Sequence, residues 1–288
     1  MNEDLILSLA LPITLFCIMF SMGAQLSPRD FNLLFKNTPS VITGIAAQML
    51  LLPILALILL YPLHLPAEIF AGFIILALSP GGTTSNMFSY LADGNLALSI
   101  TLTAVVSVIT PLSIPLIAPW LLADQLHASN IHLPFMVTMM KLIVVTLIPV
   151  ALGMLLRHFK PLFCSHNAKW LTRSPMLMLL LVIASIIRQN WSNMPQLIQQ
   201  TALPTLLLAT VALACAYLFA RSLNRDSRDA RTIAIETAIQ NGGTAILITG
   251  SILHNPAMTI APVMYGILML APVSLFALLF QRTSPATA

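Results

Sequence analysis

Residues 235–244 read Ile-Glu-Thr-Ala-Ile-Gln-Asn-Gly-Gly-Thr and lie inside an apolar run from about Thr232 to Leu253. Glu236 is the acid of this chain that no loop can take. A carboxylate in hydrocarbon costs a few kcal/mol even on the mildest insertion scale, so an acid at that depth reads as a functional group awaiting a cation. Six residues on, Gly242-Gly243 weakens the helix, and non-helical backbone inside a membrane survives only against protein or a water-filled cavity. A second stretch has the same character: Ser79-Pro80-Gly81-Gly82-Thr83-Thr84-Ser85-Asn86 interrupts the run from about Glu68 to Tyr90. Two Gly/Pro-interrupted spans in matching places of two halves point to a transporter site.

The rest of the chain sets the class. Of 288 residues, 58% are hydrophobic and 8% charged, with a mean hydropathy of +0.92. Soluble domains carry about 25% charged residues, so this is expected to be an all-helical polytopic membrane protein. At about 20 apolar residues per crossing, the length accommodates about nine or ten helices with short loops. Candidate spans fall at about 5–24, 40–60, 68–90, 95–120, 135–156, 172–187, 202–220, 232–253 and 259–281, nine in all. The opening Met1-Asn2-Glu3-Asp4 is acidic where a signal peptide is basic, and the first span is therefore expected to be retained. Cys17, Cys164 and Cys215 are scattered and follow no metal spacing.

Of the thirteen Lys and Arg, all but Lys141 and Arg188 fall in connections on one side if the odd spans run inward. The positive-inside rule then places the N-terminus outside and the C-terminus in the cytoplasm, in a plasma (inner) membrane. The third and eighth spans run oppositely in that arrangement, and both contain Gly-Gly-Thr. Two repeats of inverted topology are expected, 1–120 with four helices broken near 80–86 and 121–288 with five helices broken near 240–244; the first lacks its leading helix.

Residue chemistry narrows the site. Ser99 and Thr103 are one turn apart and share a helix face. With Ser85, Asn86 and one oxygen of Glu236 they form an oxygen shell suited to a hard monovalent cation such as Na⁺, and no thiolate or imidazole set for a transition metal accompanies them. A second shell can draw on the other Glu236 oxygen, Gln48, Gln240 and carbonyls freed where the eighth span opens. Ser and Thr in membrane helices also bond their own i−4 carbonyls, and small residues also serve close helix packing, so each hydroxyl or glycine has a structural reading beside this one.

These residues resemble the bile acid/sodium symporter family. The resemblance lies in Gln48-x-x-x-x-Pro53, Pro80-Gly81-Gly82-Thr83-x-Ser85-Asn86, Gly94-Asn95-x-x-x-Ser99-x-x-x-Thr103 and Glu236-x-x-x-Gln240-Asn241, with Met22-Gly23-x-x-Leu26-x-x-x-Asp30-Phe31 near the start. It implies a core domain with two crossing broken helices beside a smaller panel domain. It implies one Na⁺ site from Ser85, Asn86, Ser99, Thr103 and Glu236, and a second from Gln48, Glu236 and Gln240 with backbone oxygens of Thr237 and Ile239. Thr83 and Asn241 match positions facing the substrate cavity. In the last span, Tyr265 to Pro272 is largely apolar where bile-acid-binding relatives can carry polar residues, which leaves the substrate open.

The expected activity is sodium-coupled import of an organic anion, bile-acid-like or a small carboxylate, with the bilayer, sodium and the anion as partners and no obligatory protein partner. A proton-coupled or sodium-independent carrier and a non-transporting anion receptor remain as alternatives. An enzyme is not expected, since there is no His-Glu-x-x-His and the six histidines fall in or near loops. Nor is nucleic-acid binding, because topology explains the Arg225 to Arg231 cluster.

Overall fold

A computed structural model describes residues 9–26, 37–123, 135–189 and 191–281. Arg29, Asp30, Phe31, Lys36 and Arg282, used above, lie outside them. The described residues are helical, with no strand beyond one isolated antiparallel bridge, Gly81 to Gln240. In chain order the helices are α1 (Leu11–Gln25), α2 (Thr38–Leu63), α3 (Ala67–Ala77), α4 (Thr84–Leu91), α5 (Leu96–Leu121), α6 (Met136–Phe159), α7 (Pro161–His166), α8 (Ala168–Gln189), α9 (Trp191–Ser222), α10 (Ser227–Ala238), α11 (Gly242–Ile252) and α12 (Pro256–Phe280). Six of them, α2, α5, α6, α8, α9 and α12, are long and apolar enough to cross a membrane. α1, α3 and α11 are apolar but shorter.

The outer surface is apolar: Leu50, Ile54 and Ile58 on α2, Leu116 on α5, and Leu275, Leu278 and Leu279 on α12 are all exposed. Large aliphatic side chains turned outward along successive helices are tolerable only where the surrounding solvent is itself apolar. This is a multi-pass membrane protein.

Both interruptions expected from the sequence are present. The run 68–90 divides into α3 and α4, separated by 78–83, so Ser85 and Asn86 already belong to the first turn of α4. The run 232–253 divides into α10 and α11, separated by Ile239–Asn241. The glycine pair therefore opens α11 and does not itself form the break. Asn241 is the N-cap of α11, its Oδ1 accepting from the Thr244 N–H at 3.1 Å, which satisfies a backbone donor that a continuous helix would have bonded internally.

The broken segments lie within the bundle. Ile69 to Ala77 of α3, Thr232 to Ala238 of α10 and Gly243 to Gly250 of α11 are buried without exception. Their backbones meet at the breaks: the Gly82 N–H donates to the Ile239 carbonyl at 3.1 Å, and the Asn241 N–H donates to the Pro80 carbonyl at 2.8 Å. Groups that lipid would leave unpaired are thereby paired by the opposite break. Around them, α9 packs against α2, α10 and α12, and α5 packs against α2, α4, α6 and α10.

α1 packs chiefly on α6 and α8, and the α1–α6 contact is a backbone approach between two glycines. A Cβ on Gly23 would fall on the Val150 carbonyl, and one on Gly153 would fall among the Phe20 carbonyl and the backbone of Gly23 and Ala24. Small residues permit this closeness between membrane helices. Because the obstructing atoms are backbone, Gly153→Leu is expected to force the helices apart at about 1–3 kcal/mol. A lower melting temperature in detergent, with Gly153→Ala intermediate, is the measurement that checks this.

Candidate functional site

The carboxylate of Glu236, 1% exposed, is the centre of the site. It stands two turns into α10 and accepts hydrogen bonds from two other elements: Ser85 Oγ of α4 at 2.5 Å, and Ser99 Oγ and Thr103 Oγ1 of α5. Thr103 lies 3.1 and 3.0 Å from the two carboxylate oxygens. The one-turn spacing of Ser99 and Thr103 brings both hydroxyls to one carboxyl group, as the helix face predicts.

Gln48 reaches the same helix from α2. Its Nε2 donates to the Glu236 backbone carbonyl at 3.2 Å. Gln48 lies in a π turn, Ala47–Leu51, that precedes Pro53. Proline has no N–H to donate and its ring crowds the carbonyl four residues back, so the helix widens locally. Gln240, in the second break, donates from Nε2 to the Thr237 carbonyl at 2.9 Å. The Thr237 hydroxyl donates back to the Ile233 carbonyl at 2.7 Å, so the group of Thr237 that meets Gln240 is its backbone oxygen. The Ile239 carbonyl accepts from Gly82 in the antiparallel bridge.

Three amide oxygens decide the chemistry. Gln48 Oε1, Asn86 Oδ1 and Gln240 Oε1 are each buried without a hydrogen-bond partner. A buried acceptor left unmatched is expensive, by about 1–3 kcal/mol, and each belongs to a side chain in or beside this cluster. Acceptors next to a buried carboxylate call for a positive charge. No group of three or more His, Cys, Asp or Glu occurs among the described residues, so the available donor set is neutral oxygen plus one carboxylate, the chemistry of a hard cation.

Gly81 shows why small residues sit in the first break. A Cβ there would meet Glu236 Oε2 at 2.5 Å and Gln48 Nε2 at 2.7 Å. No described glycine has positive φ, so here glycine supplies space for the carboxylate and not a left-handed turn. Thr83 and Asn241 flank the bridge; Thr83 is exposed and Asn241 is spent as the α11 cap.

A sequence model of the "Sodium Bile acid symporter family" matches residues 12–197, more than half of the chain. The chain belongs to the sodium bile acid symporter family. Among its relatives, an uncharacterized sodium-dependent transporter of Bacillus subtilis (strain 168), YocS, is 31% identical over 236 residues, covering 80% of this chain and 71% of that protein. A probable sodium/metabolite cotransporter of Arabidopsis thaliana, chloroplastic BASS1, is 26% identical over 93% of this chain and 65% of its own length. The ileal sodium/bile acid cotransporter of Homo sapiens is 25% identical over 95% of this chain and 79% of its own, a match that extends through the second break.

Two buried polar residues on the elements that build this candidate site escaped the sequence reading. Tyr265 of α12, fully buried, donates its hydroxyl to the Ala238 carbonyl at 2.9 Å, an acceptor freed at the end of α10. The residue stood in plain view in an apolar span, but only the fold brings it to the break. Tyr265→Phe leaves that carbonyl unpaired at a cost of about 1–3 kcal/mol. The expected result is a lower melting temperature together with a weaker response to Na⁺, read by thermal-shift titration. The second residue, Asp229, sat within the arginine cluster that topology accounted for.

Proposed function

We propose that this protein is a sodium-coupled symporter that imports an organic anion by alternating access. The observation that carries the reading is the convergence of three hydroxyls on the buried Glu236 carboxylate beside three buried amide oxygens that have no hydrogen-bond partner. Two Na⁺ bind here. One takes Ser85, Asn86, Ser99, Thr103 and Glu236. The other takes Gln48, Glu236 and Gln240 with the carbonyls of Thr237 and Ile239. Supporting the division, Asn86 contributes an unmatched oxygen to the first set, and Gln48 and Gln240 contribute theirs to the second. The Ser and Thr hydroxyls keep lone pairs while donating to the carboxylate, so they can turn an oxygen to the ion.

The ions neutralise Glu236 and tie the two breaks together. The N-terminal ends of α4 and α11 then face the crossing, where their positive dipole ends favour a carboxylate. Thr83 and Asn241 flank this position, and we assign the anion to it. Sodium binding thus assembles the anion site, and the substrate is an organic anion, bile-acid-like or a small carboxylate.

Nine spans in two inverted repeats, 1–120 and 121–288, accommodate the described helices, with α3–α4 and α10–α11 as the broken pair. α1, α6 and α8 form the panel and the remaining long helices the core, a division supported by the close packing of α1 on α6 and α8. One rocks against the other. The N-terminus lies outside and the C-terminus in the cytoplasm of the plasma membrane, supported by Arg221, Arg225, Arg228 and Arg231 at the turn from α9 into α10. The test is uptake of labelled organic anions into proteoliposomes under an inward Na⁺ gradient. Accumulation with Na⁺ and none with an equal K⁺ gradient is the expected result; equal uptake in both would sink sodium coupling in favour of a proton-coupled or uniport carrier, and no uptake of an anion that binds would favour a receptor.

A further inference from the structure

At the arginine-rich end of the bundle, Asp229 is only 7% exposed. Its partners are neutral and come from two other helices. Oδ2 accepts from Asn37 Nδ2 at 2.7 Å and from Ser40 Oγ at 2.6 Å, and Oδ1 accepts from Asn95 Nδ2 at 2.8 Å. The neighbouring arginines are engaged elsewhere: Arg228 and Arg231 pair with Asp93, and Arg231 also lies over the Phe280 ring. One turn along α10, Thr232 Oγ1 accepts from the Asn95 N–H at 2.7 Å. Asp229 lies in the first turn of α10, where the helix dipole favours a carboxylate.

The three elements joined here are the ones that carry most of the groups around Glu236. Asn37 and Ser40 begin α2, and Gln48 follows two turns later. Asn95 is the N-cap of α5, its Oδ1 accepting from the Leu98 N–H at 3.1 Å, and Ser99 and Thr103 follow one and two turns later. Asp229 precedes Glu236 by seven residues on the same face of α10. Helices are stiff over two turns, so fixing their starts fixes the separation of the side chains above.

We infer that Asp229 is a positioning residue for the cation site: it clasps the starts of α2, α5 and α10 and so sets the spacing of Gln48, Ser99, Thr103 and Glu236. The inference rests on the proposed Na⁺ sites. A charge-assisted hydrogen bond to a buried group contributes enough that losing the clasp is expected to raise the half-saturating Na⁺ concentration about tenfold.

The test is a thermal-shift titration of the purified full chain with Na⁺ alone, K⁺ holding ionic strength constant, on wild type, Asp229→Asn, Asn95→Ser and Ser40→Ala. Asn95→Ser keeps a side-chain oxygen for the α5 cap and leaves every charge in place but cannot reach Asp229. It is therefore expected to raise half-saturation as Asp229→Asn does, and Ser40→Ala by about threefold. A lower melting temperature in K⁺ with unchanged Na⁺ half-saturation would mean that the clasp only stabilises the fold, and would overturn the inference. So would a rise in Asp229→Asn alone, which would mean that only the charge of Asp229 acts on the site. If Asp229→Asn fails to fold, the other two variants decide by the same criterion. Wild type without any Na⁺ response would instead remove the sodium reading on which the inference stands.

Discussion

Glu236→Gln is expected to abolish the stabilising effect of Na⁺ while leaving a folded protein. Glutamine is close to isosteric, and its amide oxygen can still accept from the hydroxyls of Ser85, Ser99 and Thr103, which now reach the carboxylate from two elements. What the substitution removes is the charge. A cation held by neutral oxygens alone in a buried site loses its counter-ion, and breaking a buried charge pair is worth about 3–5 kcal/mol, on the order of a hundredfold or more in affinity. Because both proposed ion sets include this carboxylate, both should fail together. Sodium-driven uptake in proteoliposomes should then fall to background with insertion and melting in K⁺ preserved. Normal sodium-driven uptake by a folded Glu236→Gln protein would refute the assignment.

Gly81→Ala should do nearly as much damage without changing any charge. The added methyl would lie 2.5 Å from Glu236 Oε2 and 2.7 Å from Gln48 Nε2, so the ends of both side chains must shift. Overpacking of this kind costs about 1–3 kcal/mol, here taken from the side chains proposed to hold the ions. At Gly82 the same methyl would meet the Gln240 carbonyl at 3.1 Å and Ile239 Cγ2 at 3.2 Å, a milder conflict at the bridge. Na⁺ half-saturation should therefore rise more than about tenfold for Gly81→Ala and less for Gly82→Ala. Titration of both variants checks the order, and equal effects would place the constraint in the backbone of the break and not in the space beside the carboxylate.

The sequence made the broken helices legible because membrane chemistry penalises what they contain. A glutamate and a Pro-Gly-Gly run have no cheap place in a lipid-facing helix, so their presence marks the centre of the bundle. The shared face of Ser99 and Thr103 was readable because helical spacing is local. The role of the glycines was read less well. They looked like helix weakeners, yet the second break falls at Ile239–Asn241, ahead of Gly242, where the Asn241 cap competes with helix continuation. Gly81 is there for its missing side chain. Such close approaches, like the Gly23 and Gly153 contact, join residues far apart in sequence and leave no periodic trace.

Asp229 and Tyr265 were hidden for a related reason. An aspartate among arginines at a helix start looks like a solvated charge until Asn37, Ser40 and Asn95 arrive from other helices. A tyrosine in an apolar span looks like packing until its hydroxyl meets a carbonyl freed by the break. Gln48 was identifiable as a polar intramembrane residue, whereas the π turn that carries it became evident only with the backbone. Charge and polarity in the wrong solvent could be read directly; long-range hydrogen bonds could not.

The most direct test of the account is the melting temperature of the purified protein in Na⁺ against K⁺ at equal ionic strength, with and without a panel of organic anions. The account predicts stabilisation by Na⁺ alone and a further rise with one class of carboxylate only when Na⁺ is present. Equal melting in the two salts, or an anion effect of the same size in K⁺, would contradict a sodium site at Glu236.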